Sequence, residues 1–243
     1  MNNWYDNDVN GYQTAVQAEN EMTLQRYVAT VMRKVYGKMT LGLLATAITS
    51  FLILSSPALM NVLFGFRATI WILFAAELGL VIYLSARIDK LSTATATTMF
   101  YIYSILTGAT LAPIFLVYTG SSIAMTFAIT AGTFGAMTLA GYLTKTDLTK
   151  FGSFLFMALL GLIVCAVVNM FMHNTMFDLI ISCAGVLIFV GLTAWDTQNI
   201  KRMCAQADPS MAGKVATMGA LSLYLDFINL FLYLLRFFGA SRD

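Results

Sequence analysis

The sequence has little charge. Aspartate, glutamate, lysine and arginine make up 11% of the 243 residues, whereas a soluble domain typically carries about 25%. Apolar residues make up 59%, and the mean hydropathy is +0.77. A soluble core of this size could not bury so much apolar surface, so the composition excludes an ordinary soluble domain. The net charge of +2 gives no indication of a nucleic-acid partner.

Several signatures of chemistry are also missing. The three cysteines, Cys165, Cys183 and Cys204, have neither metal-ligand nor disulfide spacing. There is no Walker loop, dinucleotide fingerprint or HExxH motif, so no organic cofactor is expected. The alternating segments of a transmembrane β-barrel are absent as well. Backbone groups buried in a membrane must then be satisfied within helices.

Long uncharged stretches dominate what is present. A bilayer core about 30 Å thick needs roughly 20 apolar residues of helix. The 54 uncharged residues between Lys90 and Lys145 are too many for one helix, and they divide at residues 118–121. The predicted spans are 39–56, 68–86, 95–117, 122–143, 151–172, 179–198 and 216–238. The sequence therefore predicts an all-α membrane protein with seven transmembrane helices in residues 31–243, after a polar, loosely ordered cytoplasmic segment at 1–30.

The basic residues predict the orientation of these spans. Cytoplasmic loops carry an excess of lysine and arginine. With the N-terminus inside, eleven of the fourteen fall on the cytoplasmic side: Arg26, Arg33, Lys34, Lys38, Arg87, Lys90, Lys145, Lys150, Lys201, Arg202 and Lys214. The outer side holds Arg67, Arg236 and Arg242. We therefore expect the N-terminus in the cytoplasm and the C-terminus outside.

Three acidic residues lie within the predicted spans: Glu77, Asp196 and Asp226. Ionisable groups at membrane depth are rare and usually face the bundle interior. Asp178 begins the sixth span and is predicted to be its N-cap. Glu77 needs a partner or a proton, so it is either a second cation or proton site or a neutral buried carboxyl.

Polar residues accompany both aspartates at helical spacing. On the seventh span the spacing is 4, 3 and 4 for Ser222, Asp226, Asn229 and Tyr233. On the sixth span it is 3 and 3 for Thr193, Asp196 and Asn199. Each set lies on one helical face, which must point at other helices or at water. The neutral members are consistent with simple hydrogen bonds between helices.

The two aspartates form a protonatable pair if they meet. Two carboxylates in contact at low dielectric cannot both stay ionised cheaply, so they would share a proton and titrate together. The same oxygens suit a hard cation such as Ca²⁺, which would compete with the proton. Asp196 is only five residues before Lys201, whereas Asp226 is mid-span. Contact therefore requires a tilted seventh helix or an inward-reaching vestibule.

Arg87 is the candidate third member of this site. It lies at the predicted cytoplasmic end of the second span, on the same side as Asp196. An arginine–carboxylate bond there could close the inner mouth. The alternative is a side chain that snorkels to the membrane interface.

Several segments together resemble the bacterial branch of the Bax inhibitor-1 family. They are residues 32–36 (Met-Arg-Lys-Val-Tyr), 39–44 (Met-Thr-Leu-Gly-Leu-Leu), 76–80 (Ala-Glu-Leu-Gly-Leu), 84–88 (Leu-Ser-Ala-Arg-Ile) and 106–108 (Leu-Thr-Gly). The most specific are 195–198 (Trp-Asp-Thr-Gln) and 223–231 (Leu-Tyr-Leu-Asp-Phe-Ile-Asn-Leu-Phe). The resemblance covers roughly residues 30–240, with a longer connection at 204–214 than the family pattern suggests.

The resemblance implies both a fold and an activity. It implies a bundle whose last helix is central, and a pH-sensitive calcium leak of the cell membrane gated by an aspartate pair. The family's pair matches Asp196 and Asp226, its gate arginine matches Arg87, and Glu77 matches an acidic position of the second helix. The expected partners are the lipid bilayer, Ca²⁺ and protons, and no enzymatic activity is expected.

Three alternatives remain open. The protein could be a non-transporting regulator that binds other membrane proteins, with its N-terminal segment as the contact. It could be a proton-coupled exchanger, which would move Ca²⁺ uphill. An intramembrane aspartyl protease is disfavoured. Presenilin-like and prepilin-peptidase-like enzymes use a Gly-x-Gly-Asp segment, whereas the bulky residues Leu223, Tyr224 and Leu225 precede Asp226 here.

Overall fold

The computed structural model describes residues 3–240, with side chains for residue 17 and for residues 19–66 and 68–240. Nine α-helices follow one another in this part of the chain: α1 (Asn3–Leu54), α2 (Pro57–Phe64), α3 (Arg67–Arg87), α4 (Thr93–Leu111), α5 (Ile114–Val117), α6 (Gly120–Leu143), α7 (Thr149–Met172), α8 (Thr175–Gln206) and α9 (Ala212–Phe238). Two 3₁₀ turns, Ile88–Lys90 and Pro209–Met211, lie between α3 and α4 and between α8 and α9. Residues 3–240 contain no β-strand.

Seven segments are long and apolar enough to cross a membrane, so the predicted all-α fold with seven spans is confirmed. They are Glu19–Leu54, Ala68–Lys90, Thr93–Val117, Gly120–Leu143, Thr149–Met172, Thr175–Gln206 and Pro209–Phe238. The predicted break between the third and fourth spans is also correct, and the Thr119 hydroxyl caps the new helix by accepting from the backbone N–H of Ser122 at 3.3 Å. The sixth span extends eight residues beyond its predicted end at 198.

α1 runs without a break from Asn3 to Leu54, across residue 30, and the predicted division of the chain at that residue stays a prediction. One local expectation differs from the structure. The prediction that Asp178 is the N-cap of the sixth span is wrong, because the helix begins earlier and the Asn174 side chain accepts from the backbone N–H of Phe177 at 3.0 Å. Asp178 instead accepts from Arg236 Nη1 at 3.2 Å, which joins the start of α8 to the end of α9.

The seventh span, which contains α9, is the most buried of the seven. It packs against α1, α4, α6 and α8, and Leu223, Tyr224 and Leu230 on it are fully buried. The other spans present large apolar side chains outward, among them Phe51, Phe154 and Phe171, each at least 60% exposed. Such an apolar exterior is expected where lipid tails surround the helices. The central position of α9 stays a prediction.

Glycines let three of these helices approach closely. A Cβ added at Gly141 of α6 would lie 2.2 Å from the backbone oxygen of Ala194 in α8. A Cβ at Gly185 of α8 would lie 2.7 Å from the ring of Tyr233 in α9. Small residues at such points are typical of membrane helix pairs, because lipid provides no hydrophobic drive for association and close packing must replace it.

We expect Gly141→Ala to destabilise the bundle, because the new methyl group meets rigid backbone. Overpacking of this kind costs about 1–3 kcal/mol. The measurement is thermal unfolding of the purified protein in one detergent. Gly132→Ala is the matched control on the same helix, since its Cβ has no neighbour within 4 Å. Equal melting temperatures for the two variants would contradict the close α6–α8 contact.

Candidate functional site

The two aspartates lie on α8 and α9, which run antiparallel. The close approach of Gly185 to Tyr233 fixes one end of this pair, and that of Gly219 to Ile200, 3.0 Å from an added Cβ, fixes the other. In this register Asp226 lies opposite Thr193, one helical turn from Asp196. The sequence folds this way locally because small residues stand on one helix where bulky side chains stand on the other.

The two carboxyl groups are in contact. Asp196 and Asp226 lie within hydrogen-bonding reach of each other. Asp226 is 4% exposed, and its Oδ2 atom is buried without another hydrogen-bond partner among the described residues. A hydrogen bond between two carboxyl groups needs a proton on one of them, since an ionised carboxylate only accepts. A hydrogen bond between Asp196 and Asp226 would therefore require that the pair hold a proton, and this role stays a prediction.

The depth of the pair follows from the full length of α8. Asp196 lies ten residues before the end of that helix, and Asp226 fourteen residues after the start of α9. At 1.5 Å per residue these positions are about 15 and 21 Å from that end of the bundle. The difference is about one helical turn, which two aspartate side chains on facing helices can bridge.

Apolar side chains and threonine hydroxyls that bond within their own helix lie next to the two aspartates along α8 and α9. Phe227 follows Asp226 and meets the rings of Phe127 and Phe134 edge-on at 5.3 and 5.4 Å. The hydroxyls of Thr193 and Thr197 are fully buried, and each donates at 2.7 Å to a carbonyl oxygen of its own helix. Their protons are therefore not available to the carboxyl groups. No basic side chain of the described residues forms an ion pair with either aspartate.

The predicted polar stripe divides between two environments. Tyr233 stacks on Phe189 of α8 with ring centroids 5.9 Å apart. Asn229 donates to the carbonyl of Leu225 in its own helix at 2.8 Å and lines a cavity on the side of α3 and α4. Ser222 and Asn199 are partly exposed. These roles as supporting residues stay predictions.

Glu77 lies in a cavity of about 370 Å³ between α3, α4 and α9. The Thr110 hydroxyl donates to Glu77 Oε1 at 2.5 Å. Tyr103, Asn229 and Arg236 line the same space. The cavity thus joins the acid of α3 to the helix that carries Asp226. Sequence reasoning placed Arg236 only as an outer basic residue, because spacing along the chain does not show which helices enclose a space.

Arg87 is exposed at the end of α3. The ion pairs among the described residues are Arg202 with Asp147 and Arg236 with Asp178, so Arg87 contacts no carboxylate in this structure. Its role as a gate partner stays a prediction.

A polar clamp near Asp196 was not foreseen from the sequence. Buried Gln198 donates to the Thr146 carbonyl at 2.7 Å and accepts from the Leu148 N–H at 2.9 Å. Arg202, one turn later, reaches Asp147 of the same loop. The Thr149 side chain and N–H, together with Arg202, lower the pKa of Asp147 to about 2. The clamp connects α8 to the loop between α6 and α7. From the sequence alone, Arg202 indicates only the orientation of the spans.

The pair is a partial ligand set for a cation. Ca²⁺ takes six to eight oxygen ligands, and two carboxylates supply at most four. Within residues 19–66 and 68–240, no three Asp, Glu, His or Cys side chains gather around one point. Water and neutral oxygens would complete the shell of a cation, so the donor chemistry fits a weak, transient site better than a storage site.

Comparison with known proteins identifies the family. The family model described as "Inhibitor of apoptosis-promoting Bax1" matches residues 28–243. The chain is 51% identical over 216 residues to the inner membrane protein YbhL of Escherichia coli K12, covering 88% of this chain and 92% of that protein. It is 45% identical over 214 residues to an uncharacterised protein of Borreliella burgdorferi, covering 87% and 92%.

The chain therefore belongs to the Bax inhibitor-1 family, and it is an integral, multi-pass membrane protein. The resemblance inferred from the aspartate segments is confirmed. A third relative, an uncharacterised protein of Rickettsia prowazekii, is 41% identical over 223 residues.

The shared proton predicts a specific infrared signal. At neutral pH the protein should show a protonated carboxyl band that is lost in Asp226→Asn and in Asp196→Asn, measured as difference spectra against wild type in hydrated films. Asp147→Asn is the control, because a carboxyl with a pKa of about 2 is ionised at neutral pH. Unchanged bands in both pair variants would show that the carboxyl groups do not hold a proton.

Proposed function

We propose that this protein is a pH-sensitive, calcium-permeable leak of the bacterial inner membrane, controlled by Asp196 and Asp226. The observation that carries the proposal is the contact of the two carboxyl groups between α8 and α9, with Asp226 nearly inaccessible to solvent. A neutral residue could supply the same packing without the cost of ionisation at membrane depth. An acid pair at this place is best explained by a use for its proton or its charge.

The chemistry of the aspartate pair suits both a proton and Ca²⁺. With the proton in place, the pair is a hydrogen-bonded unit that holds α8 against α9. Without it, two carboxylates repel each other and attract a divalent cation to the same oxygens. Conduction requires binding that is weak enough for the ion to leave, and a two-carboxylate site with no third acid nearby among the described residues supports such binding.

Glu77 supports a path on the other side of α9. Asn229 lies one turn after Asp226 and lines the cavity that contains Glu77. We assign Glu77 as a secondary acidic site that a cation meets before the pair. The cavity offers oxygens from Thr107, Thr110 and Tyr103 as further ligands.

Arg87 is proposed to act at the cytoplasmic end of the bundle. It ends α3 at the same end of the bundle as the loop that is clamped to α8. An ionised Asp196 would attract this guanidinium, and their contact would narrow the inner mouth. Proton binding would then release it by removing the negative charge.

Orientation and location complete the proposal. The N-terminus is assigned to the cytoplasm and the C-terminus to the outside, because the loops that carry Lys90, Lys145 and Lys214 share one end of the bundle. The inner membrane is proposed because the Escherichia coli relative is described as an inner membrane protein.

The surroundings of Asp226 support a protein that is not an enzyme. Leu223 and Tyr224 are both 0% exposed and packed within the bundle. An intramembrane protease needs room near its aspartates for the backbone of a substrate, and small residues there would give more of it than these bulky, buried side chains.

Calcium flux into proteoliposomes tests the proposal. Wild-type protein should give a leak above empty vesicles that changes between mildly acidic and mildly alkaline pH. Asp226→Asn should remove the pH dependence, because asparagine keeps the hydrogen bonding and cannot release a proton. Imposing a pH gradient without a calcium gradient should move no Ca²⁺ uphill, which separates a leak from an exchanger.

Two controls make this test decisive. Asp147→Asn should keep the wild-type pH profile, since Asp147 is ionised throughout the range. Arg87→Gln should raise the flux about fivefold if its contact is worth about 1 kcal/mol, whereas exposed Lys90→Gln should not. No flux from folded protein at any pH would contradict the leak and favour a regulator that binds other membrane proteins.

A further inference from the structure

A second cavity, of about 450 Å³, lies beside the one that contains Glu77, and the two share Leu111, Ile114 and Ile228 as lining residues. It is enclosed by α1, α6 and α9 and by the chain around Ile114 and Phe115. Its volume is within the range of sites that hold small organic ligands, about 300–1,000 Å³. The cavity therefore has room for a defined guest.

The walls of this cavity are apolar. Among its lining side chains, only Thr46 and Ser50 carry polar atoms. The Thr46 hydroxyl lies 2.6 Å from the Tyr224 hydroxyl and 2.9 Å from the Ser104 carbonyl oxygen, and the Ser50 hydroxyl donates to the Gly108 carbonyl at 2.6 Å. A water molecule needs two to four polar partners, and the cavity has few to offer. A hydrocarbon guest needs none.

The mouth of the cavity opens on the surface that faces lipid. Ala47 of α1 and Ala124 of α6 line the cavity and are exposed. Beside them stand Ile48 and Met125, which are 58% and 69% exposed. These side chains belong to the apolar exterior of the spans. The cavity is thus continuous with the interface between protein and bilayer.

The geometry points to one acyl chain of a membrane phospholipid as the occupant, which we propose enters between α1 and α6. The outer rim is polar, with Gly120 and exposed Ser121 at the start of α6. A tail that lies along Ile123 and Phe127 would leave its headgroup near that rim. Phospholipid is favoured as the source because the mouth is open to the bilayer along the span.

The acyl chain of the lipid would contact α9 directly. Phe227 and Phe231 form the inner wall, and Phe227 is the neighbour of Asp226 in sequence. Lipid packing would then act on the same helix that carries Asp226. The proposal does not depend on calcium flux, because it concerns binding alone.

Photolabelling tests this site. The probe is phosphatidylglycerol with a diazirine in its tail, added to protein in lipid-poor detergent, with labelled residues found by mass spectrometry. Labels should concentrate on cavity residues such as Leu43, Ile123 and Phe127. Ala124→Trp should lower this labelling about tenfold, the loss expected when roughly two methylene groups can no longer enter.

The matched control is Ala128→Trp, one turn along α6, which is exposed and does not line the cavity. It should keep wild-type labelling, and thermal unfolding should show that both variants are folded. Labels spread evenly over exposed apolar residues, equal in both variants, would overturn the proposal. Labelling of the cavity by a diazirine fatty acid and not by the phospholipid probe would overturn the phospholipid assignment.

Discussion

An acid within a membrane bundle must be paired, hydrogen-bonded or neutral, and the arrangement of α8 and α9 meets this constraint. Asp226 is nearly inaccessible, and Asp196 lies within hydrogen-bonding reach of its carboxyl. The hydroxyls of Thr193 and Thr197 donate within their own helix. In the proposed function, a proton shared between the two carboxyl groups would lower the cost of burial, and the contact between the two helices would then depend on protonation.

Polar contacts away from the two aspartates hold α8 and α9, the helices that carry them, in place. Lys38 of α1 donates to Thr97 of α4 and Thr217 of α9 at 2.7 and 2.6 Å, which joins three helices near one end of α9. The buried hydroxyl of Tyr224 meets Thr46 of α1 two residues before Asp226. At the other helix, Gln198 binds the loop between α6 and α7 two residues after Asp196. Both aspartates are therefore held on well-anchored backbone, so a change in the charge of the pair acts on a defined contact.

The fold could be predicted because its signals are local. Uncharged stretches of about 20 residues report spans, and helical spacing reports which side chains share a face. The depth of Asp196 could not be predicted, because Lys201 and Arg202 suggested that the span ended there. In the structure α8 continues to Gln206, and these two cations turn aside, Lys201 to the Tyr142 carbonyl at 2.6 Å and Arg202 to Asp147. The cavities and the Gln198 clamp depend on contacts between distant segments, for which the sequence has no periodic signal.

Competition between Ca²⁺ and a proton shared by Asp196 and Asp226 would couple calcium binding to proton release, which can be measured. Calcium would be added to protein in lipid nanodiscs at weak buffering, with the released protons measured by a pH indicator. We expect wild type to release up to one proton for each Ca²⁺ that it binds. Asp226→Asn should release no proton. Calcium binding to wild type without proton release would contradict this competition.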